Sequence, residues 1–537
     1  MSFPPAPSAA PLSGDPADLL LLATPITLAI AAAVGALPRT AVATTWQLAR
    51  AAAAFAVVLA LGAAGVGLAL PASAATPRGA TVAQLLLAPL IAAIGLVIVR
   101  FSSRYVAGEV GERRFARWLL LTLAGATFVV ATDHLLLLTL GWLVTSLSLQ
   151  RLLTFYPTRP MARIAALEKF LVSRAADACM LTATALLASH AGTLHIGELL
   201  ATTATAPLQG EARVATLLIA VAALLKCAQL PFHGWLLRVM EAPTPVSALL
   251  HAGVVNLGGF VLIRMWPLVE ASSEARWLLV LVGGITAALA ALAATTQPAV
   301  KLALAWSTCA QMGFMLLQCG LGLPEMALLH LIAHSAYKAH AFLTASSSVR
   351  ESATDALAPD PVRGGLWPRA VAALVGVAMV ATIGGATGAL DPARPELLAA
   401  GAILSFALVP LLLAGRRGGA RPAALGLLTA AAVTFAWFTL HQLLHGAVST
   451  RTPHPTSPTL AAAALLTLLP LLAVRMRLAW RPGGELGVRL HRLCQRGLFL
   501  DAWFTRLVTR LGRTQPPTAS PRSIALLPSR NLHRGEL

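Results

Sequence analysis

The chain has 537 residues, of which 57% are hydrophobic and only 11% charged, against about 25% charged in soluble domains. Its net charge is +19 and its mean hydropathy is +0.76. A soluble fold is excluded because single cores stop growing near ~250–300 residues, and the basic excess lies in short segments between apolar runs, a cytoplasmic-loop pattern and not a nucleic-acid surface.

The chain therefore reads as an all-α polytopic membrane protein. Its opening stretch, MSFPPAPSAAPLSGDPADLL, has no basic n-region and carries Asp15 and Asp18. The first apolar run is thus expected to be a retained span and not a cleaved signal. A span takes about 20 apolar residues. Fifteen are predicted, at 18–36, 47–71, 81–99, 116–132, 134–150, 170–189, 213–230, 244–263, 277–294, 299–319, 324–345, 369–388, 396–414, 422–443 and 457–475. They divide the chain into N-terminal helices (1–80), an ion-translocating core (81–350), C-terminal helices (351–475) and a basic tail (476–537).

Basic residues give the orientation. Arg100, Arg104, Arg113, Arg114 and Arg117 flank one loop, and Arg151, Arg159, Arg163 and Lys169 mark the next on that side. Arg350, Arg363 and Arg369, then Arg416, Arg417 and Arg421, then Arg475, Arg477 and Arg481 continue the series. The opposite loops carry single arginines: Arg78, Arg213, Arg276, Arg394 and Arg451. The positive-inside rule then places the N-terminus outside an inner membrane and the tail in the cytoplasm.

Ionisable residues inside apolar spans are expensive and ask for a reason. Asp133 and His134 fall at a membrane edge and read as a mouth. Glu168, Arg174 and Asp177 lie in LEKFLVSRAADACML, where Arg174 and Asp177 are three apart and can pair. Lys226, in LLIAVAALLKCAQLPFHGW, is the first candidate for ion movement. A lysine poised between desolvation and a carboxylate can load and release a proton, whereas one at a helix end can merely snorkel. Asp177 and Glu241 are the candidate partners for its charge. His251 follows the proline-broken EAPTPVS segment, and Lys301 opens a later span as either a charge anchor or the start of a path. His334 and Lys338, four apart, share a helix face, while His340 points away from it. Histidine suits proton relay because it titrates near neutrality.

Pro231, Pro243 and Pro245, with Gly253, Gly258 and Gly259, predict broken helices at membrane depth. The tail segment 486–513 alternates arginines with apolar residues at helical spacing, and TQPPTASPRS beyond it reads as unstructured. The five cysteines and the histidines show no metal-ligand spacing. No nucleotide, flavin or haem motif is present, so no cofactor is expected in this chain.

The stretch KCAQLPFHGWLLRVMEAPTPVSALLHAGVVNLGGF resembles the central signature of the proton-pumping membrane subunits of respiratory complex I and of related cation/proton antiporters. KLALAWSTCAQMGFM and LLHLIAHSAYKAHAFLTASS resemble its next two signatures, and SSRYVAGEVGERRF is similar to the loop before the fourth span. The likeness covers roughly residues 85–350. It implies an antiporter-like bundle with broken helices. The family pairs a fifth-span glutamate with the lysine matching Lys226, and here that glutamate position is Leu143. GWLVTSLSLQRLLTFY, RPMARIAALEKFLVSRAAD and AHSAYKAHAFL look closer to a subgroup, the membrane subunit of the two-component inorganic carbon transporter.

That resemblance implies a membrane subunit without catalysis of its own. It would conduct H+ or Na+ and energise a large cytoplasmic carbonic-anhydrase-like partner, which holds zinc and converts CO2 to bicarbonate in one direction. Lys226, His251, His334 and Lys338 would carry the coupling ion. The alternatives are a subunit of a Na+/H+ antiporter or of a respiratory NADH-quinone oxidoreductase, and a non-conducting membrane scaffold for a cytoplasmic protein.

Overall fold

A computed structural model describes residues 15–69, 81–156, 159–202, 208–345, 366–415, 420–448, 456–480 and 484–511. The arginines Arg78, Arg350, Arg363, Arg416, Arg417, Arg451 and Arg481, and the segment TQPPTASPRS, lie outside them.

The described chain is helical throughout. The helices are α1 (Pro16–Gly35), α2 (Val42–Ala69), α3 (Val82–Tyr105), α4 (Glu112–Ala131), α5 (Leu135–Leu153), α6 (Pro160–Ala191), α7 (Ile196–Thr202) and α8 (Gly210–Lys226). There follow α9 (Gly234–Arg238), α10 (Thr244–Ala252), α11 (Leu257–Arg264), α12 (Trp266–Ala271), α13 (Ser273–Ala294), α14 (Val300–Leu321) and α15 (Pro324–Leu343). The C-terminal part has α16 (Leu366–Ala386), α17 (Pro395–Gly415), α18 (Ala420–Val448), α19 (Pro458–Trp480), α20 (Glu485–Gln495) and α21 (Ala502–Leu511).

Each of the fifteen predicted spans meets a helix, but twelve spans among the described residues are long and apolar enough to cross a membrane. The other three fall short for identifiable reasons. α8 is 17 residues because it stops at Lys226. α15 carries Glu325, His330, His334, Lys338 and His340, which dilute its apolarity. The apolar part of α19 is Pro458–Val474. A second correction concerns α6, which begins at Pro160 and runs 32 residues. Lys169, read from sequence as a loop cation, therefore lies inside the helix and is 3% exposed.

The break predicted around the prolines is present. Pro245 sits in the first turn of α10, where its missing N–H costs nothing. The helix then stops at Gly253, passes through a 3-10 turn at Val254–Asn256 and resumes as α11. Together α10 and α11 form one interrupted span, 94% buried inside the protein. This is where irregular backbone is tolerated at membrane depth. Gly258 is required here: a Cβ would lie 2.7 Å from Cys227 Sγ and 2.8 Å from the Ala223 carbonyl, so α11 abuts the end of α8 only as glycine.

α8 packs on α6, α13 and α11, and α15 on α10, α14 and α18. The main core spans α1 to α15 and takes in Phe504 and Val508 of α21. Leu425, Leu428 and Phe435 of α18 are exposed, as expected of a lipid-facing helix.

Candidate functional site

The site is a band of buried polar side chains across the C-terminal ends of α8 and α10 and the middles of α6 and α15. Lys226 is the last residue of α8, since Ala228 takes a left-handed φ of 51° and Pro231 follows. A helix C-terminus carries partial negative charge and favours a cation there. The ammonium also lies 4.2 Å from the centre of the Trp142 ring on α5. Asp177 on α6 lies within electrostatic range of Lys226, Lys169 and Arg174, and its Oδ2 is 2.5 Å from the Arg174 guanidinium. Lys169 Nζ donates to the Ser146 carbonyl and, at 3.1 Å, to its hydroxyl. Lys169, Asp177 and Lys226 are all buried.

The second half of the site is built on α15. His334 Nε2 is 3.2 Å from the His251 carbonyl, at the break after α10. A carbonyl only accepts, so Nε2 carries the hydrogen. The His251 ring stacks on Phe342 with centroids 4.3 Å apart. Lys338 Nζ donates to the Leu304 carbonyl of α14 at 2.9 Å. His330, one turn before His334, contacts Gln318 at 3.1 Å, and the two rings are 6.1 Å apart. A polar link joins the halves. Cys227 Sγ donates to the Val255 carbonyl at 3.2 Å, and the neighbouring Asn256 Nδ2 donates to Ser335 at 2.8 Å.

The remaining predicted residues fall elsewhere. Lys301 donates to Thr244 at 2.8 Å, tying α14 to the start of α10. His340 is exposed on the opposite face of α15 and is not brought to the band. Glu241 pairs with Arg159 at 4.0 Å at the surface, not with Lys226. Glu168 is fully buried against Arg238, which also reaches Asp501 of the tail at 2.6 Å. Asp133 pairs with Arg264. Burial pushes the Asp133 carboxyl up, against the pull of Arg264. Beside it, burial and then the neighbouring His195 hold His134 below its usual range.

The protein called "Probable inorganic carbon transporter subunit DabB" in Hydrogenovibrio crunogenus is 41% identical to this chain over 447 residues, 82% of this chain and 84% of that one. The chain belongs to the DabB family. A second relative, "Probable inorganic carbon transporter subunit DabB2" of Halothiobacillus neapolitanus, is 38% identical over 83% of this chain and 82% of its own length. NADH-quinone oxidoreductase subunit L of Escherichia coli is 35% identical over 48% of this chain and 43% of that protein. The wider family described as NADH:quinone oxidoreductase/Mrp antiporter, TM, matches residues 131–385, which contain the whole polar band. In the structure of the Mrp complex from Dietzia, one chain superposes with a TM-score of 0.55 at 24% identity, covering 93% of this chain and 60% of that one. The DabB-family chain thus shares the antiporter-type fold.

Several polar residues of this DabB-family site were not singled out from sequence. His330, His334 and Lys338 follow at i, i+4 and i+8, so the helical period alone would have added His330. Trp142 carried no signal beyond lying next to Leu143. Among the described residues no group of three or more His, Cys, Asp or Glu is placed to hold a metal ion.

Proposed function

We propose that this chain conducts protons through the inner membrane and uses that current to energise a cytoplasmic carbonic-anhydrase-like partner that converts CO2 to bicarbonate. Zinc belongs to the partner. The N-terminus faces outward and the tail inward. The observation that carries the reading is the buried band itself, in which Lys226 at the end of α8, His251 beside the break after α10, and His334 and Lys338 on α15 are drawn together by the Cys227–Val255 and Asn256–Ser335 hydrogen bonds.

The chemistry of the band favours H+ over Na+. Hard cations take carboxylate, carbonyl and water oxygens. Here the titratable groups are mostly amines and imidazoles, and the one carboxylate near Lys226, Asp177, faces three cations. Such a set repels a metal ion but can pass a proton from nitrogen to nitrogen. Asp177 supplies, from α6, the negative charge that Leu143 lacks on α5. Each proton crossing is worth about 2.3 kcal/mol per 100 mV, enough over a few charges to bias a partner between two states. The names of the DabB relatives support inorganic carbon as the cargo.

The test is co-expression with the partner in cells lacking carbonic anhydrase. Growth at ambient CO2 is expected, and Lys226→Ala and Lys338→Ala should each abolish it while the complex still purifies intact. Growth that persists in both variants favours a scaffold. Na+ export by vesicles without rescue favours an antiporter.

A further inference from the structure

Among the described residues, four carboxylates are buried: Glu168, Asp177, Glu325 and Glu396. Arginines hold three of them, Arg238 on Glu168, Arg174 on Asp177 and Arg394 on Glu396. Glu325 differs. It is fully buried, and its nearest basic groups are two histidines of α18, with His441 Nδ1 at 3.1 Å and His445 Nδ1 at 3.5 Å from Oε1. Among the described residues neither carboxylate oxygen has a partner that meets hydrogen-bond geometry. An arginine is permanently charged and fixes a carboxylate, whereas a histidine exchanges its proton near neutral pH. Burying a carboxylate against partners that can release their protons is costly, and it makes sense where a proton must come and go.

We propose that Glu325, His441 and His445 form the proton-exchange site at the outer end of the path. The proposal rests on the proton-conducting reading and on its outward orientation. Glu325 is the second residue of α15, and His445 lies within one turn of the end of α18, so both mark one membrane face. Lys338 lies 13 positions further along the same helix, about 20 Å away at 1.5 Å per residue. His330 and His334 occupy the interval on α15. From Glu325 to His330 the helix rises about 7.5 Å, so a proton passing between them needs bridging water. Exposure grades outward: Glu325 is sealed, the His441 side chain is 3% exposed and that of His445 is 28% exposed.

The other charged and titratable groups near this end do not substitute for the histidines. Cys319 of α14 faces Glu325, and a thiol offers no counter-charge. Arg276 of α13 is spent on the Gly320 and Leu321 carbonyls and on Thr456. Glu396 of α17 is held by Arg394. Each transfer moves one proton from one nitrogen or oxygen to the next. No bond other than those to hydrogen changes, and no cofactor is needed.

The experiment is proton flux in vesicles reconstituted with the full complex, with a pH dye inside and an imposed potential. Glu325→Gln should lower flux at least tenfold, and so should His445→Ala, whose partly exposed site tolerates truncation if Glu325→Gln fails to assemble. Imidazole should restore flux in His445→Ala beyond the weak-base effect that it has on the dye in vesicles holding the parental complex. Parental flux in His445→Ala without imidazole overturns the proposal. Lys226→Ala and Lys338→Ala run beside it: if they too conduct normally, the proton path itself is wrong, and if only they fail, the outer site alone is wrong.

Discussion

Lys226 is held by an aromatic face, a helix end and a nearby carboxylate, and each acts on its charge. The Trp142 face contributes about 0.5–2 kcal/mol toward the ammonium. The end of α8 adds about 0.3–1 kcal/mol. Asp177 offsets three neighbouring cations at once, so removing its charge leaves Lys169, Arg174 and Lys226 facing one another. Asp177→Asn should therefore lower vesicle proton flux at least ~10-fold, a barrier change of about 1.4 kcal/mol. Unchanged flux in a correctly assembled Asp177→Asn complex would reduce Asp177 to a packing role. Lys226, His334 and Lys338 were legible in the sequence because a charge in an apolar run has no cheap explanation. Glu325 and His441 were not, because 116 positions separate them and each alone resembles a helix-end polar residue.

At the scale of the element, the decisive feature is the paired interruption, where α8 ends at Lys226 and α10 gives way to α11. Prolines and glycines announced both breaks. They did not reveal that one break serves the other through the Gly258 contact with Cys227. Gly258→Ala should force α11 from α8, with overpacking costing about 1–3 kcal/mol. The expected readout is a lower unfolding temperature in detergent together with loss of flux, and a variant as stable and active as the parent would refute the close-packing account. The start of α6 was the harder boundary to read. Its first ten residues carry Arg163, Glu168 and Lys169, so hydropathy discards a stretch that tertiary contacts bury.

At the scale of the whole molecule, the tail is part of the bundle. Phe232 meets Trp503 and Phe504 at ring distances of 5.9 and 5.5 Å, and Asp501 and Thr505 reach Arg238 at 2.6 and 2.7 Å. Sequence showed this segment to be amphipathic, but amphipathic spacing does not say what covers the apolar face. Arg238→Ala leaves Glu168 buried without its cation, a loss of about 3–5 kcal/mol. Asp501→Asn keeps the Glu168 pair. The first should lower the unfolding temperature clearly. The second should mainly speed tryptic cleavage after Arg496, and protease resistance equal to the parent's would argue against the tail contact.

Asp501 follows every span in chain order, 263 positions after Arg238. Until translation reaches it, Arg238 has Glu168 alone, and the surface around Phe232 and Trp306 stays uncovered. The bundle must therefore insert and assemble in an open form first. Closure by the tail then works as a completion mark: only a chain translated through α21 covers the face around Arg238.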